Sequence, residues 1–421
     1  MDSHALSQLT HAAQNQAPDA MAALAHALVR AGRVEEALSW YCRAAAAGDA
    51  TARVEAGRML AYGIGCESDL RQALVYWQQA EQQGAPAALY LLASAALAET
   101  PLTLDAQAQA RLLASATAGY APALRAVAIQ HGRVAHPAQQ RQCVALLERA
   151  AAAGDVPAAA LLAQRLLHGE GVPAQPAAAA DLLLQLRAQG IAPLPELQVA
   201  PPLPVHTEDH TEDHAMHFEP PATRLHHHAA PRIEELHGVL SADECRLLML
   251  LARPHLRPSQ VVDPNDASTR RTPVRTSQGA TLDPILEDFA ARAAQARLAA
   301  CAGLPLSHAE PLSVLCYAPG EHYRPHRDYL PPSTIAIDRP AAGNRLRTVC
   351  VYLNAVQAGG ATDFPIAGVR VQPRAGTVVC FDNLLADGTP DPDSLHAGLP
   401  VDAGSKWLGT LWFRQRRYRD W

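Results

Sequence analysis

Two patterns of apolar positions divide the chain. Up to about residue 190, Ala and Leu dominate and β-branched residues are few, which favours closely packed helices. From Arg232 onward, short Val-rich or aromatic segments are bounded by Gly, Pro and Asp turns, a pattern typical of a compact antiparallel barrel or sandwich. The chain is therefore predicted to have a helical half followed by a mainly β half.

The helical half repeats itself. A glycine closes an Ala-rich segment at intervals of 36, 35, 35 and 36 residues, at Gly48, Gly84, Gly119, Gly154 and Gly190. Gly-rich turns at residues 62–69 and 168–175 fall between these closures, whereas residues 101–110 of the third unit lack such a turn. A fixed period of this length predicts stacked helix pairs.

The second half begins with predicted helices. A helix is expected over residues 233–252, where Ser241 and Glu244 have the spacing of a capping box, and another over residues 283–301. Strands are then predicted over residues 313–318, 347–354, 369–381 and 406–414.

A connector is predicted between the halves. Repeated Pro disfavours helix over residues 193–231, so the predicted domains are residues 1–192, 193–231 and 232–421. Two His-rich stretches in the connector, residues 206–214 and 226–228, offer metal ligands. A solvated connector is the preferred interpretation, because an unfolded cluster lacks the geometry that a catalytic site needs.

Composition limits the binding partners, the cysteine-based sites and the cellular compartment that we expect for the protein. The 421 residues include 49% hydrophobic residues and carry a net charge of −6, which gives no general attraction to nucleic acid or to an anionic membrane. No apolar run has the length of a spanning helix, and the first residues lack a secretory signal. Eight scattered Cys without a C-x-x-C pair argue against a zinc or disulfide framework. We expect a cytoplasmic protein that binds neither nucleic acid nor membrane; the composition does not predict its oligomeric state.

The candidate chemistry centres on a His-x-Asp pair. Residues two apart in a strand share a face, so His326 and Asp328 can hold one metal ion while Arg327 points away. With 19 His in the chain, one such pair arises by chance. His396 supplies a third ligand, and two imidazoles with one carboxylate leave positions open and suit Fe(II).

Further spaced residues give the second half a family resemblance. It resembles the prolyl 4-hydroxylase family of Fe(II)- and 2-oxoglutarate-dependent dioxygenases in its spacing of Tyr317, Gly320, Tyr323, His326, Asp328, Arg345, Thr348, Gly359, Gly360, Thr362, Phe364, His396 and Lys406. The G-x-G turns, the Ala-rich helices and the period make residues 20–190 similar to Sel1-like repeats, a branch of the tetratricopeptide-type solenoids. These resemblances imply a multidomain protein, with an all-α solenoid followed by a double-stranded β-helix (jelly-roll) with flanking helices.

The resemblance also implies residue roles. His326, Asp328 and His396 would bind Fe(II), and 2-oxoglutarate would chelate the same ion. O2 would be the second cosubstrate, and L-ascorbate is a common reductant in the family. The far carboxylate of 2-oxoglutarate would bind Lys406. The remaining implied roles are hydrogen bonds from Tyr317 and Thr348 to the cosubstrate, and a pocket wall from Trp412. Arg275 and Arg414 are predicted either to bind substrate at the entrance or to form surface salt bridges.

The predicted activity is hydroxylation of an unactivated C–H bond, with 2-oxoglutarate converted to succinate and CO2. The favoured substrate is a prolyl residue, hydroxylated at C4 as by procollagen-proline 4-dioxygenases, in a protein or peptide recruited by the repeats. Two alternatives stay open at this point. One is hydroxylation of a free amino acid or small metabolite, and the other is a non-catalytic repeat adaptor.

Overall fold

A computed structural model describes residues 3–14, 17–97, 102, 105–194, 223–259, 261–262, 269–270 and 274–419. Within these residues the first half is helical and the second half is built from antiparallel strands flanked by helices, so the predicted fold class is confirmed. The His-rich stretch at residues 206–214 lies outside the described residues.

The described part of the first half forms eleven helices, α1 (Ser3–Gln14), α2 (Pro18–Arg30), α3 (Val34–Ala46), α4 (Ala50–Tyr62), α5 (Leu70–Gln82), α6 (Pro86–Ala96), α7 (Ala106–Thr117), α8 (Ala121–Gly132), α9 (Pro137–Ala152), α10 (Val156–His168) and α11 (Pro176–Ala188). The five periodic glycines follow α3, α5, α7, α9 and α11, each at positive φ. The predicted repeat of helix pairs is therefore present in the structure.

Close approach of helices explains one glycine inside the array. A Cβ at Gly57 of α4 would lie 2.4 Å from the indole Nε1 of Trp77, which packs against this position from α5. That Nε1 donates a hydrogen bond to the carbonyl of Val54 at 3.2 Å. Trp77 and Tyr41 are buried in the array, whereas Trp40 is only half-buried.

The second half contains three further helices and sixteen strands among its described residues. These are β1 (Arg224–Ala229), β2 (Arg232–Leu236), α12 (Ala242–Ala252), β3 (Arg257–Pro258), β4 (Val261–Val262), β5 (Thr269–Arg270), β6 (Gln278–Leu282), α13 (Phe289–Ala302), β7 (Leu312–Tyr317), β8 (Tyr323–His326), α14 (Pro332–Ile337), β9 (Arg345–Tyr352), β10 (Ala358–Gly359), β11 (Thr362–Phe364), β12 (Val369–Val371), β13 (Val378–Asp382), β14 (His396–Gly398), β15 (Val401–Ala403) and β16 (Lys406–Arg414).

Several of the predicted elements differ from the structure. The helix expected over residues 283–301 begins only at Phe289, and the strand expected over residues 369–381 is divided into β12 and β13. The helix expected over residues 233–252 starts only at Ala242, after the capping box of Ser241 and Glu244, and residues 232–236 form β2 instead. The His triplet at residues 226–228, predicted as connector, lies in β1, which pairs with β2. Backbone pairing in a sheet has overridden the local helical and connector signals.

Two sheets form the jelly-roll. The larger has the strand order β1-β2-β13-β9-β16-β7-β6-β3, and the smaller has the order β12-β11-β14-β8. Side chains of both sheets, among them Tyr317, Tyr352, Phe364, Val371 and Phe381, form one buried cluster. The opposite face of the larger sheet packs on α12 and α13 in a second core. The interior cluster therefore lies between the sheets, where the candidate site is also found.

The chain divides into two compact units, and the division falls inside α8. Residues up to Ala123 form one unit, apart from a short segment around Leu97, and residues from Leu124 to Asp420 form the other. The second unit thus includes α9, α10 and α11 together with the jelly-roll. The predicted boundaries at residues 192 and 231 stay predictions, because residues 195–222 of the connector lie outside the described part of the chain.

Buried ion pairs hold the second unit together. Arg165 of α10 donates from Nε to Asp243 Oδ2 of α12 at 2.9 Å, and the Arg246 guanidinium, also on α12, binds Glu170 at 2.6 Å. Glu244 accepts from both Arg133 and Arg297. Because breaking a buried pair leaves an uncompensated charge, these contacts tie the last repeat helices firmly to the jelly-roll helices.

Among the described residues, no single helix is long and apolar enough to cross a membrane, although the bent pair α7 and α8 meets that test by length and composition when the two are taken together.

Candidate metal centre

Strand pairing brings the two candidate imidazoles together. His396 of β14 is the cross-strand partner of His326 at the end of β8, and their ring centroids are 4.2 Å apart. Asp328 follows two residues after His326, so its carboxylate reaches the same side. Arg327 donates instead to the carbonyl of Pro392 at 2.7 Å. Residues separated by about 70 positions in sequence therefore meet because of the β8–β14 register.

The three side chains converge as a metal-binding group. Asp328 Oδ1 lies 3.6 Å from His326 Nε2, and Asp328 Oδ2 lies 3.7 Å from His396 Nε2. One ligand atom from each residue lies within 4.8 Å of the others, and among the described residues this is the group that could hold a metal. The predicted triad is thus brought together, and two nitrogens with one carboxylate oxygen suit Fe(II).

Backbone contacts orient both imidazoles. His326 Nδ1 lies 2.8 Å from the carbonyl of Arg324, and His396 Nδ1 lies 3.0 Å from the carbonyl of Ser394. A carbonyl only accepts, so each Nδ1 carries the proton and each Nε2 presents its lone pair. Burial and the neighbouring His396 lower the pKa of His326, which keeps its ring neutral.

Asp328 is held as a carboxylate. Burial opposes its ionisation, but nearby positive charge, including the Arg345 guanidinium, and a hydrogen bond from Thr348 outweigh burial and lower the pKa of Asp328. Thr348 Oγ1 donates to Asp328 Oδ2 at 2.7 Å. The resemblance implied that Thr348 donates to the cosubstrate, but in this structure its single hydroxyl proton is committed to Asp328.

Lys406 lies buried without a counter-ion. Its side chain is 2% exposed, and among the described residues no carboxylate pairs with it. Burial lowers the pKa of Lys406 to about 8. The ammonium lies 5.5 Å from the ring centroids of both Tyr317 and Tyr352. A buried cation with no anion of its own fits the predicted role of binding the far carboxylate of 2-oxoglutarate.

The two aromatic residues predicted beside the cosubstrate lie on the same sheet. Tyr317 of β7 pairs directly with Lys406 of β16, and burial raises the pKa of its phenol. Trp412 pairs with Thr348 and carries the Arg345 guanidinium 4.0 Å from its ring centroid. The indole Nε1 of Trp412 is buried and has no hydrogen-bond partner among the described residues. These positions are compatible with the predicted pocket lining.

The two arginines predicted at the entrance lie in different surroundings. The guanidinium of Arg275 lies 5.0 Å from the ring centroid of Tyr323, which itself stacks on His326 at 3.4 Å. Arg414 is 0% exposed and binds Glu310 and Asp338, so it neither faces an entrance nor forms a surface salt bridge. The β9–β16 register shifts between Phe413 and Arg414, so that Arg414 pairs with Arg345, which also binds Glu310.

Several residues beside the site were not predicted. The Tyr352 hydroxyl donates to Thr362 Oγ1 at 2.6 Å next to the Lys406 ammonium. The period of two from Thr348 along β9 would have indicated Tyr352. Composition gives a further indication of Lys406, which the resemblance had already implied. It is the only lysine in the sequence, and the other basic Lys-or-Arg positions are all Arg. Asn383 carried no signal, since its contact with Thr348 depends on the tertiary fold.

The sequence of this chain is similar to those of known proteins over the segment that contains the candidate metal centre. Residues 312–414 match the 2OG-Fe(II) oxygenase superfamily, and this segment contains His326, Asp328, His396 and Lys406. The chain is similar to prolyl 4-hydroxylase 1 of Arabidopsis thaliana, with 36% identity over 201 residues that cover 44% of this chain and 70% of the relative. It is also 36% identical to the prolyl 4-hydroxylase subunit alpha-1 of Rattus norvegicus, over 44% of this chain and 35% of the relative.

Solved structures resemble each half of the chain. The viral collagen prolyl hydroxylase of Paramecium Bursaria Chlorella virus-1 is 25% identical, with a TM-score of 0.34. The match covers 43% of this chain and 95% of the hydroxylase chain. The Sel1 repeat protein from Oxalobacter formigenes is 26% identical, with a TM-score of 0.39. The match covers 45% of this chain and 57% of the Sel1 repeat protein.

Proposed function

The chain belongs to the prolyl 4-hydroxylase family of 2OG-Fe(II) oxygenases, and from this premise we propose that His326, Asp328 and His396 hold Fe(II) while Lys406 binds the far carboxylate of 2-oxoglutarate. The observation that carries the proposal is the convergence of two imidazole Nε2 atoms on one carboxylate, in a domain whose single lysine is buried with no carboxylate partner among the described residues. Neutral nitrogen and carboxylate oxygen donors are the set that a non-haem Fe(II) oxygenase uses.

The enzyme is a 2-oxoglutarate-dependent dioxygenase. Bound Fe(II) and 2-oxoglutarate supply oxygen activation coupled to decarboxylation to succinate and CO2. The chain contributes three ligands and leaves the remaining coordination positions open, while the buried ammonium of Lys406 neutralises a carboxylate that would otherwise lie uncompensated in the interior. We further propose O2 as the second cosubstrate and L-ascorbate as the reductant that sustains turnover.

We propose that the substrate is a prolyl residue hydroxylated at C4. The curated relatives carry the name prolyl 4-hydroxylase. Beside the metal centre, the ring of Tyr323 lies flat on His326, and the Arg275 guanidinium lies against the same tyrosine. A flat aromatic surface with a cation at its side suits an apolar pyrrolidine ring flanked by peptide carbonyls, whereas a free amino acid would need partners for both of its charged termini.

We propose that the helical repeats recruit a protein substrate. Stacked helix pairs generally present an extended binding surface, which a free amino acid would not need. The test compares a protein substrate with a short peptide that contains the same proline. Recruitment predicts that the protein has at least ~10-fold higher kcat/KM, and that deletion of residues 1–123 lowers this value to that of the peptide. Equal kcat/KM values for protein and peptide in the full chain would contradict recruitment.

The boundary of that deletion matters. Removing residues 1–192 would also remove Arg165 and Arg133, whose buried partners Asp243 and Glu244 lie on α12. A deletion at residue 123 instead follows the division between the compact units. Turnover of the short peptide by the deletion variant serves as its control, because that reaction needs only the metal centre.

Activity itself is tested with Fe(II), 2-oxoglutarate, ascorbate and a pool of proline-containing peptides. We expect succinate to form and one oxygen atom to be added to a proline, with amino-acid analysis identifying 4-hydroxyproline. Oxygen added to free proline rather than to peptides would support the small-molecule alternative. Absence of succinate with every substrate would instead favour a non-catalytic adaptor.

A further inference from the structure

A buried asparagine lies behind the candidate metal centre. Asn383 follows β13 directly and is 0% exposed. Its Nδ2 lies 2.9 Å from Thr348 Oγ1, and that oxygen lies 2.7 Å from Asp328 Oδ2. Thr348 is also 0% exposed. Three side chains that are distant in sequence therefore form a continuous chain of hydrogen bonds that ends on a candidate metal ligand.

The chemistry of the three groups fixes the direction of each hydrogen bond. An ionised carboxylate only accepts, so the single hydroxyl proton of Thr348 points to Asp328. The lone pairs of Oγ1 are then available, and only the amide NH2 of Asn383 can donate to them. A flipped Asn383 amide would place two acceptors against each other. The order is therefore Asn383 to Thr348 to Asp328.

The two donors are rigid, whereas Asp328 is not held by a strand. Thr348 lies in the middle of β9, paired on one side with Phe381 and on the other with Trp412. The backbone of Asn383 donates to the carbonyl of Leu346 at 2.9 Å and accepts from the amide of Asp391 at 3.0 Å. Asp328 lies between β8 and α14, where no ladder of hydrogen bonds positions it.

We propose that Asn383 and Thr348 are positioning residues that orient the Asp328 carboxylate before the metal binds. This inference rests on the metal centre proposed above. The terminal torsion of an Asp side chain is broad and roughly two-fold, so an unrestrained carboxylate would have to be ordered when the metal arrives. The hydrogen bond to Oδ2 removes that freedom, and Asn383 removes the freedom of the Thr348 hydroxyl in turn.

The other end of the asparagine amide supports a role beyond packing. Asn383 Oδ1 is buried and has no hydrogen-bond partner among the described residues. A buried acceptor without a partner opposes folding, so an apolar residue of similar shape would suit this position better if stability alone mattered. The donor function of Nδ2 toward Thr348 gives a reason for an amide here.

The test measures Mn(II) affinity of the full chain by electron paramagnetic resonance, without 2-oxoglutarate and without turnover. Thr348→Val removes the hydroxyl at nearly constant volume, and we expect it to weaken Mn(II) binding by on the order of 10-fold or more. Thr348→Ser keeps the hydroxyl and should restore affinity to within about 3-fold of wild type. Asn383→Leu should weaken binding less than Thr348→Val, because it acts through the threonine.

The double variant distinguishes positioning from a general loss of structure. If Asn383 acts through Thr348, adding Asn383→Leu to Thr348→Val causes no further loss of affinity. Additive losses, or Mn(II) binding by Thr348→Val equal to that of wild type, would overturn the proposal. If the leucine prevents folding, Asn383→Ala makes the same comparison. Thr410→Val removes another buried hydroxyl, which contacts Cys350 on the neighbouring strand, and should leave Mn(II) affinity unchanged.

The outcomes also separate this inference from the metal centre itself. If the wild-type chain does not bind Mn(II), the metal centre fails and the inference falls with it. If the wild type binds Mn(II) and the Thr348→Val variant instead shows only a raised KM for 2-oxoglutarate, the metal centre stands. In that case Thr348 would have the cosubstrate role that its family resemblance implied.

Discussion

Replacing Lys406 with Met should stabilise the protein in the absence of 2-oxoglutarate. The ammonium is 2% exposed, and burial lowers the pKa of Lys406 from 10.5 to about 8 with no carboxylate opposing this effect. At 1.36 kcal/mol per pKa unit, this depression corresponds to about 3 kcal/mol of folding free energy lost near pH 7. A Met side chain is also unbranched and flexible, and it occupies similar space without a charge.

The sign of the pH dependence follows from the direction of the pKa change. Below pH 8 both the folded and the unfolded chain carry the proton, so the folded state bears the full penalty. Between about pH 8 and 10.5 the folded amine is neutral while the unfolded amine is still protonated, so the penalty shrinks as pH rises. The stability advantage of Lys406→Met should therefore fall from about 3 kcal/mol at pH 7 to about 1 kcal/mol at pH 9.5.

Two measurements check this prediction. Denaturant unfolding of wild type and Lys406→Met at both pH values gives the stability difference, in which contributions of all other titrating groups cancel. Because Lys406 is the only lysine, isotope-labelled lysine gives one side-chain NMR signal that reports its pKa directly. Adding 2-oxoglutarate should raise the Tm of the wild type and leave that of the variant unchanged. A variant that is less stable than wild type at pH 7 would refute the reasoning.

Two other substitutions test the site and the fold. Asp328→Ala should abolish iron binding and turnover, because two imidazoles alone do not retain the ion; iron content equal to that of wild type would show that Asp328 is not a ligand. Arg165→Met should destabilise the protein by about 3 kcal/mol in denaturant unfolding, because the remaining guanidinium contact of the buried Asp243 is then the longer one to Arg246. Arg33→Met, which breaks an exposed pair with Glu36, should change stability by less than about 1 kcal/mol. Similar losses in both Arg variants would mean that burial of the pair is not what matters.

Local patterns predicted most of the framework. The periodic glycines needed only their spacing, because each ends a helix at a positive φ that glycine adopts without strain. The segments that form β7, β9, β12, β13 and β16 were visible as short Val-rich and aromatic runs, whereas the short strands β10, β11, β14 and β15 were not predicted. His326 and Asp328 were found because two residues in an extended segment share a face, and that geometry needs no tertiary information.

Features that depend on pairing between distant segments could not be predicted in the same way. Arg414 was predicted to bind substrate at the entrance or to form a surface salt bridge, but Glu310 and Asp338, which are distant in sequence, bind it in the interior. The contact between Thr348 and Asp328 was not predicted, because the loop that carries Asp328 comes within 2.7 Å of the Thr348 hydroxyl only in the folded chain. Neither a bulge nor a contact between a loop and a neighbouring strand leaves a periodic trace in sequence.

The abrupt change of composition near residue 190 predicts a connector, but the compact unit that contains the jelly-roll begins earlier, at Leu124. Glu244, which caps α12, also binds Arg133 at the end of α8, and Arg133 reaches the carbonyl of Val239 at 3.2 Å. The amide of Val239 in turn donates to the carbonyl of Gly376, in the turn that leads into β13. The last repeat helices therefore support β13, which Asn383 directly follows, so their loss should disturb the metal centre as well as any recruiting surface.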